Sequence, residues 1–425
     1  VNLDDIESEV LDFRYKGVPL GESLPLRELG SRGWNVARGD LSLPVTTLRA
    51  EALTHNIETM AEYCRRRGVS LAPHGKTTMS PQLFQRQLDA GAWGITAGTP
   101  GQVQVMRRFG VQRVFLANEL VERQALEWVA AELSQDEDFD FYCLVDSVDT
   151  VAAMDEVLHD RLGSRRLNVL VELGLAGGRT GTRSVSEALA VSGAVVDAST
   201  LRLAGVETFE GLAASSASPD DIAAVDRLLG SVRDVVQQIL EQRAPSPTEE
   251  FLVTAGGSVF FDRVVEILGS WPDQPQVRVV LRSGCYVSHD HGRYQRLSPL
   301  DGRRAPSEDL CLENALEAWG VVLSRPEPTQ VIVGSGKRDL PYDVELPIPL
   351  RVHRADGEVF DLTGASVTKL MDQHAFLTVP ESVSLEPGDI VAFGLSHPCA
   401  AFDRAPLIPL IDEDLTVTGG VLTYF

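Results

Sequence analysis

The segment Ala72-Pro73-His74-Gly75-Lys76 sets an amine two residues after an imidazole, at the end of an apolar run that reads as a strand. The chain has four lysines, Lys16, Lys76, Lys337 and Lys369, beside 34 arginines. Where arginine carries nearly all the positive charge, a retained lysine points to a need for an amine that can lose its proton, which a guanidinium cannot supply. A lysine in a surface turn is the other reading of Lys76. A second segment, Thr254-Ala255-Gly256-Gly257-Ser258, ends a strand and leads into a helix at Val259. Bare glycine amides at a helix start, with a serine hydroxyl, make a cradle for a phosphate dianion. Arg282-Ser283-Gly284-Cys285-Tyr286 adds small residues after the following strand. A glycine turn that binds nothing is the competing reading of both. Gly174 to Gly181 is a glycine-rich loop that carries Arg179, and His397-Pro398-Cys399 offers imidazole and thiolate two positions apart, a pair suited to zinc with positions left open. A lone His-x-Cys also arises by coincidence. His289-Asp290-His291 reads equally as a metal cluster or as a polar loop. Gly334-Ser335-Gly336-Lys337 only imitates a nucleotide loop, because Val331 stands where the first glycine belongs and Arg338 follows the lysine.

These residues need elements to position them. From residue 69 short β-branched runs alternate with amphipathic stretches, the pattern of βα units. The runs are Val69 to His74, Trp93 to Ala97, Arg113 to Asn118, Asp140 to Asp146, Leu167 to Leu173, Leu201 to Thr208, Glu250 to Ala255 and Val277 to Arg282. Helix starts such as Ser80-Pro81 and Ser218-Pro219-Asp220-Asp221 set a serine cap before a proline at the first helical position. Eight such units predict an α/β fold, a (β/α)8 TIM barrel, with a doubly wound sheet as the competitor. In a barrel the strand ends above share one mouth, and the phosphate cradle falls after strands seven and eight, its usual place. Pro44 to Arg49 reads as a strand and Ala50 to Arg67 as a helix that closes the outer ring. After about residue 290 proline-punctuated β runs predict a second, mainly antiparallel β domain. The expected division is therefore an N-terminal segment, 1–43, that packs with the β domain; a barrel, 44–290; and a β domain, 291–425, that carries the metal pair.

An amine beside a phosphate site at a barrel mouth suits pyridoxal 5′-phosphate, whose aldehyde bonds a lysine while its phosphate rests on amides. Pro73-His74-Gly75-Lys76-Thr77 resembles the Pro-His-x-Lys-Thr segment of the fold-type III pyridoxal enzymes, within them the D-serine dehydratase and D-threonine aldolase family and its amino-acid-deaminase-like members. The likeness extends over roughly residues 44 to 425. It implies that Lys76 is the covalent and catalytic lysine, that Arg179 lies at the pyridine nitrogen, and that His74, Thr254, Gly256, Gly257, Ser258, Gly284, Cys285 and Tyr286 belong to the cofactor-binding segments. His397 and Cys399 resemble the dehydratases' metal pair, where aldolases have His-x-Asp, so a Zn²⁺-assisted β-elimination of water from a 3-hydroxy-D-amino acid is favoured. A retro-aldol cleavage to glycine and an aldehyde, and a non-catalytic pyridoxal carrier, are the alternatives. Where the family places a tyrosine after strand six, this chain has Phe209. The resemblance also implies a homodimer.

Composition narrows the partners. With 44% hydrophobic and 23% charged residues the chain is globular rather than disordered. Sixty-one acidic against 38 basic residues leave a net charge of −23, which disfavours nucleic acid and anionic membrane. Five scattered cysteines without a CxxC argue against a disulfide framework, and the acidic start is unlike a signal peptide, so a cytoplasmic location is expected.

Overall fold

The computed structural model describes residues 1–242 and 249–425. Each of the eight expected runs forms a strand: β1 (Ser70–Leu71), β2 (Ile95–Ala97), β3 (Arg113–Glu119), β4 (Asp140–Val145), β5 (Leu167–Glu172), β6 (Leu201–Thr208), β7 (Phe251–Ala255) and β8 (Val277–Leu281). All are parallel, sequence neighbours are sheet neighbours, and β8 pairs β1. The Trp93 amide donates to the Leu71 carbonyl and a bridge joins His74 to Thr96, so β1 meets β2 and the ring closes. The fold is the α/β barrel with a second, mainly antiparallel sheet.

Strand alternation explains why these runs are apolar on both faces. In β4, Tyr142 and Leu144 join the interior cluster with Phe115, Leu170, Leu252 and Val280. Phe141, Cys143 and Val145, one step out of phase, pack under the helices. Several helices start on a side-chain cap: Thr99, Ser147, Ser184 and Ser218 each accept an amide from three residues on. Ser80 does not; its hydroxyl is buried without a partner, so the helix Pro81–Asp89 begins on proline alone.

The helix Ala50–Arg67 closes the outer ring as expected, with Leu53, Ile57 and Met60 buried and the Asn56 amide donating to the Val287 and Glu313 carbonyls. The strand before it belongs elsewhere. Val45–Arg49 runs antiparallel to Leu316–Glu327 and parallel to Leu407–Ile411, inside the second sheet. Trp319, fully buried, donates its indole N–H to Thr47 Oγ1 at 2.8 Å and seals that junction. The sheet continues through Ile390–Gly394, Ile348–His353 and the hairpin Leu407–Ile411 with Val417–Leu422. The N-terminal turn Leu26–Arg32 lies on that hairpin so closely that a Cβ on Gly30 would stand 2.2 Å from the Thr418 carbonyl oxygen. No helix among the described residues is long and apolar enough to cross a membrane.

Candidate active site

The strand ends and the loop Ser396–Cys399 of the second sheet enclose a cleft of about 520 Å³. Its wall includes ten of the twelve candidates: His74, Lys76, Arg179, Gly256, Gly257, Ser258, Gly284, Cys285, His397 and Cys399. Thr254 and Tyr286 are not on it. Thr254 Oγ1 is buried beneath the cleft, accepting from Arg282 at 2.6 Å and donating to the Val280 carbonyl. Tyr286 is buried on the helix side, its hydroxyl accepting from Gln87 at 2.9 Å.

Lys76 sits in the short turn Gly75–Thr77 that follows β1 and is exposed to the cleft. Gly98 leaves the space its stem uses, since a Cβ there would lie 3.5 Å from Lys76 Cδ. His74 Nδ1 is buried with no partner, and burial together with the Lys76 and Arg282 cations pushes the imidazole well below its ordinary pKa. It is a neutral ring, shaped to pack against a planar group.

The expected phosphate cradle is half open. The Gly257 amide is taken by Glu210, whose Oε2 accepts it at 3.0 Å, and burial raises that carboxyl's pKa. The amides of Ser258 and Gly284 have no acceptor among the described residues. Gly284 has to be glycine here, because a Cβ would stand 2.5 Å from Thr77 Oγ1 and 2.7 Å from the His74 carbonyl oxygen. A lysine, two open amides, an unpartnered imidazole nitrogen and an arginine around one cleft fit a phosphorylated pyridine aldehyde. Ser258 and Gly284, rather than Gly257, would hold its phosphate.

Charged residues outside the glycine and lysine motifs form the floor. Glu119, Glu172 and Glu207 end or nearly end β3, β5 and β6. Arg282 pairs with the buried Glu207, whose carboxyl burial raises to about 7 against the pull of that arginine. Arg179 lies 3.7 Å from Glu172 and stacks over Phe209, its carbon 5.3 Å from the ring centre. Burial and the neighbouring Glu172 carboxylate push Glu119 up to about 9. An acid closing an otherwise apolar strand was the available signal, in Asn118-Glu119, Val171-Glu172 and Val206-Glu207.

On the opposite wall His397 and Cys399 start the short helix Pro398–Phe402. His397 Nδ1 bonds Asp343 Oδ2 at 2.5 Å, which frees its other nitrogen. Cys399 Sγ lies 3.5 Å from Thr77 Oγ1 and 4.0 Å from Cys285 Sγ. The Cys285 thiol 4.0 Å away and the neighbouring His397 lower the Cys399 thiol well below its ordinary pKa, so the thiolate is Cys399 and the proton stays on Cys285. One imidazole and one thiolate fit zinc by donor type. No group of three or more His, Cys, Asp or Glu is arranged around a metal among the described residues. His289-Asp290-His291 is a structural segment: His289 pairs with Asp301 at 2.8 Å, and Asp290 accepts the Gly292 and Tyr294 amides.

Residues 315–411 match the family described as "Putative serine dehydratase domain". D-threonine aldolase from Arthrobacter sp. is 22% identical over 347 residues, 80% of this chain and 82% of that one. The chain is similar to the fold-type III D-serine dehydratase and D-threonine aldolase family. Solved structures share the fold across both domains. D-threonine aldolase from Filomicrobium marinum superposes with a TM-score of 0.74 at 24% identity, covering 92% of this chain and 97% of that one. D-threo-3-hydroxyaspartate dehydratase from Delftia sp. HT23 superposes at 0.69 and 21% identity, covering 90% and 98%. The resemblance read from Pro73 to Thr77 is borne out at the level of family and fold.

Proposed function

We propose that this chain is a pyridoxal 5′-phosphate-dependent lyase that eliminates water from a 3-hydroxy-D-amino acid with the help of a divalent metal, zinc by ligand type, giving a 2-oxo acid and ammonia. The observation that carries this reading is the convergence of the Lys76 amine and the His397 and Cys399 pair on one cleft, from two different domains. The similar dehydratase supports it, as does a variant of that enzyme solved in a metal-free form.

When bound, the pyridoxal ring supplies a sink for the electrons of the substrate's α-carbon, and the metal supplies a Lewis acid at the β-oxygen. Zinc lowers a bound water's pKa from ~15.7 to ~7, and at ~1.36 kcal/mol per unit its help is capped near ~12 kcal/mol. Lys76 Nζ would hold the aldehyde carbon and, once released by the substrate amine, take the α-proton. Arg179 would face the ring nitrogen; a guanidinium does not give up a proton at neutral pH, and Glu172 neutralises its charge from below. The Ser258 and Gly284 amides would take the phosphate. His397 and Cys399 would hold the metal, with Asp343 fixing the imidazole so that its free nitrogen faces the ion.

The test is a panel of D- and L-3-hydroxy amino acids assayed for oxo acid, ammonia, glycine and aldehyde, with and without chelator, beside borohydride trapping of the cofactor on Lys76. The D-isomers are expected to give oxo acid and ammonia, lost with chelator. Glycine and aldehyde would establish retro-aldol cleavage instead, the reading the aldolase relatives favour and Cys399 disfavours. Bound cofactor without any product would mark a carrier, which the contribution of a second domain to the cleft argues against.

A further inference from the structure

We infer that Arg293 is the receptor for a carboxylate of the substrate, an assignment that rests on the cleft being the lyase site proposed above. Four cations line this cleft: Lys76, Arg179, Arg282 and Arg293. The first is assigned to the cofactor. Arg179 is matched by Glu172, and Arg282 by Glu207 and Thr254. Arg293, partly buried, has no carboxylate at ion-pair distance among the described residues, nor does its guanidinium make a hydrogen bond with them. An acid that feels its charge, Glu345, is occupied: one oxygen pairs with Arg296 and the other accepts from Ser396 at 2.9 Å. Of the four cleft cations Arg293 alone is left for a ligand, and none of its guanidinium nitrogens is a buried orphan, so the donors stay open to the cleft.

Its backbone is held in place. Asp290 accepts the amides on either side of it, those of Gly292 and Tyr294, at 2.7 and 3.0 Å. The Arg293 amide itself donates to Ser396 Oγ at 3.3 Å, next to His397. The backbone of Arg293 is therefore tied to Ser396, the residue before His397, and its side chain lines the same cleft as His397 and Cys399. Asp290 also lines the cleft, but its carboxylate is spent on backbone amides and does not compete for the cation. A planar fork of donors in that place suits a carboxylate held by two parallel hydrogen bonds. The amino acid offers either its α-carboxylate or, in a 3-hydroxyaspartate, a second one on the β-carbon.

Arg293→Ala and Arg293→Lys, both loaded with pyridoxal phosphate, are to be assayed on D-serine and on D-threo-3-hydroxyaspartate. Loss of a charge-assisted pair is expected to raise KM at least ~10-fold with little change in kcat, with lysine restoring part of the loss. A rise for both substrates assigns the α-carboxylate; a rise for 3-hydroxyaspartate alone assigns the β-carboxylate and with it a dicarboxylic substrate. A change of less than threefold on both overturns the inference. Calorimetric titration of the chain without cofactor, using D-lactate and D-malate, decides it independently of turnover. Binding that is weakened in Arg293→Ala supports the assignment, and binding equal to that of the unaltered chain refutes it. Failure of borohydride trapping at Lys76 would sink the lyase reading without touching the calorimetric result.

Discussion

At the scale of single residues, the site divides into groups that hold charge and groups that hold geometry. Cys399 is the thiolate of the Cys285 pair, and removing it takes away the only sulfur ligand of the proposed metal. Cys399→Ala is expected to lose bound metal and at least ~100-fold in elimination while keeping its cofactor absorbance; metal analysis beside a spectrum checks both. Asp343→Asn should weaken metal affinity by ~10- to ~100-fold, because the imidazole loses the carboxylate that orients it. Glu119 makes a different prediction. Its carboxyl rises from 4.5 to about 9 in the folded chain, chiefly by burial and then by the neighbouring Glu172 carboxylate. The folded state therefore binds a proton that the unfolded state has lost, and this group lowers stability progressively as pH rises from about 4.5 to about 9. Glu119→Gln, which cannot ionise, should raise the melting temperature at pH 8 and flatten that decline. A melting curve with the same pH slope as the unaltered chain would show that the proton is held elsewhere.

At the scale of elements, the eight strands were legible because alternation with amphipathic helices leaves few other solutions, and eight of the ten cleft candidates follow from their place after barrel strands, while His397 and Cys399 come from the second sheet. The strand Val45–Arg49 was legible as a strand but its partners were not. A five-residue run of strand formers such as Val45-Thr46-Thr47-Leu48-Arg49 satisfies either sheet, and its pairing with Leu316–Glu327, sealed by Trp319 on Thr47, places it in the second. Tyr286 failed for a related reason: the turn Cys285–Val287 rotates it to the helix layer, a rotation no residue pattern announces. Arg282, Glu172 and Glu207 carried a signal, charge on apolar strands, that a search for catalytic motifs overlooks. The turn after β8 also carries a tight constraint on the site. Gly284→Ala would push a methyl group into Thr77 and the His74 carbonyl, moving the turn that bears Lys76. A cost of ~1–3 kcal/mol in denaturant unfolding is expected, together with loss of cofactor binding. If the variant binds cofactor as tightly as the original chain, the turn is more compliant than its packing implies.

At the scale of the whole molecule, charge and apolar surface pull in opposite directions. The chain carries −23, which repels a second copy at long range. It also exposes Phe13 at 92% and Leu20 at 95% on its N-terminal segment, side chains that gain by leaving water. Tyr342, Val344 and Leu346, also exposed, lie near the loop that brings His397 to the cleft. The homodimer that the family resemblance implies is expected, and it should be held by such apolar contacts rather than by ion pairs. The two origins differ in their response to salt. Between ~0.01 M and ~0.15 M ionic strength the screening length falls from ~30 Å to ~8 Å, which removes most of the mutual repulsion and leaves apolar contact untouched. Sedimentation should therefore show a dissociation constant that falls as salt is added, and Phe13→Glu with Leu20→Glu should shift the chain to monomer. A dissociation constant that rises with salt would mean that opposite charges hold the copies together, and the apolar segment would then have to be assigned to another partner.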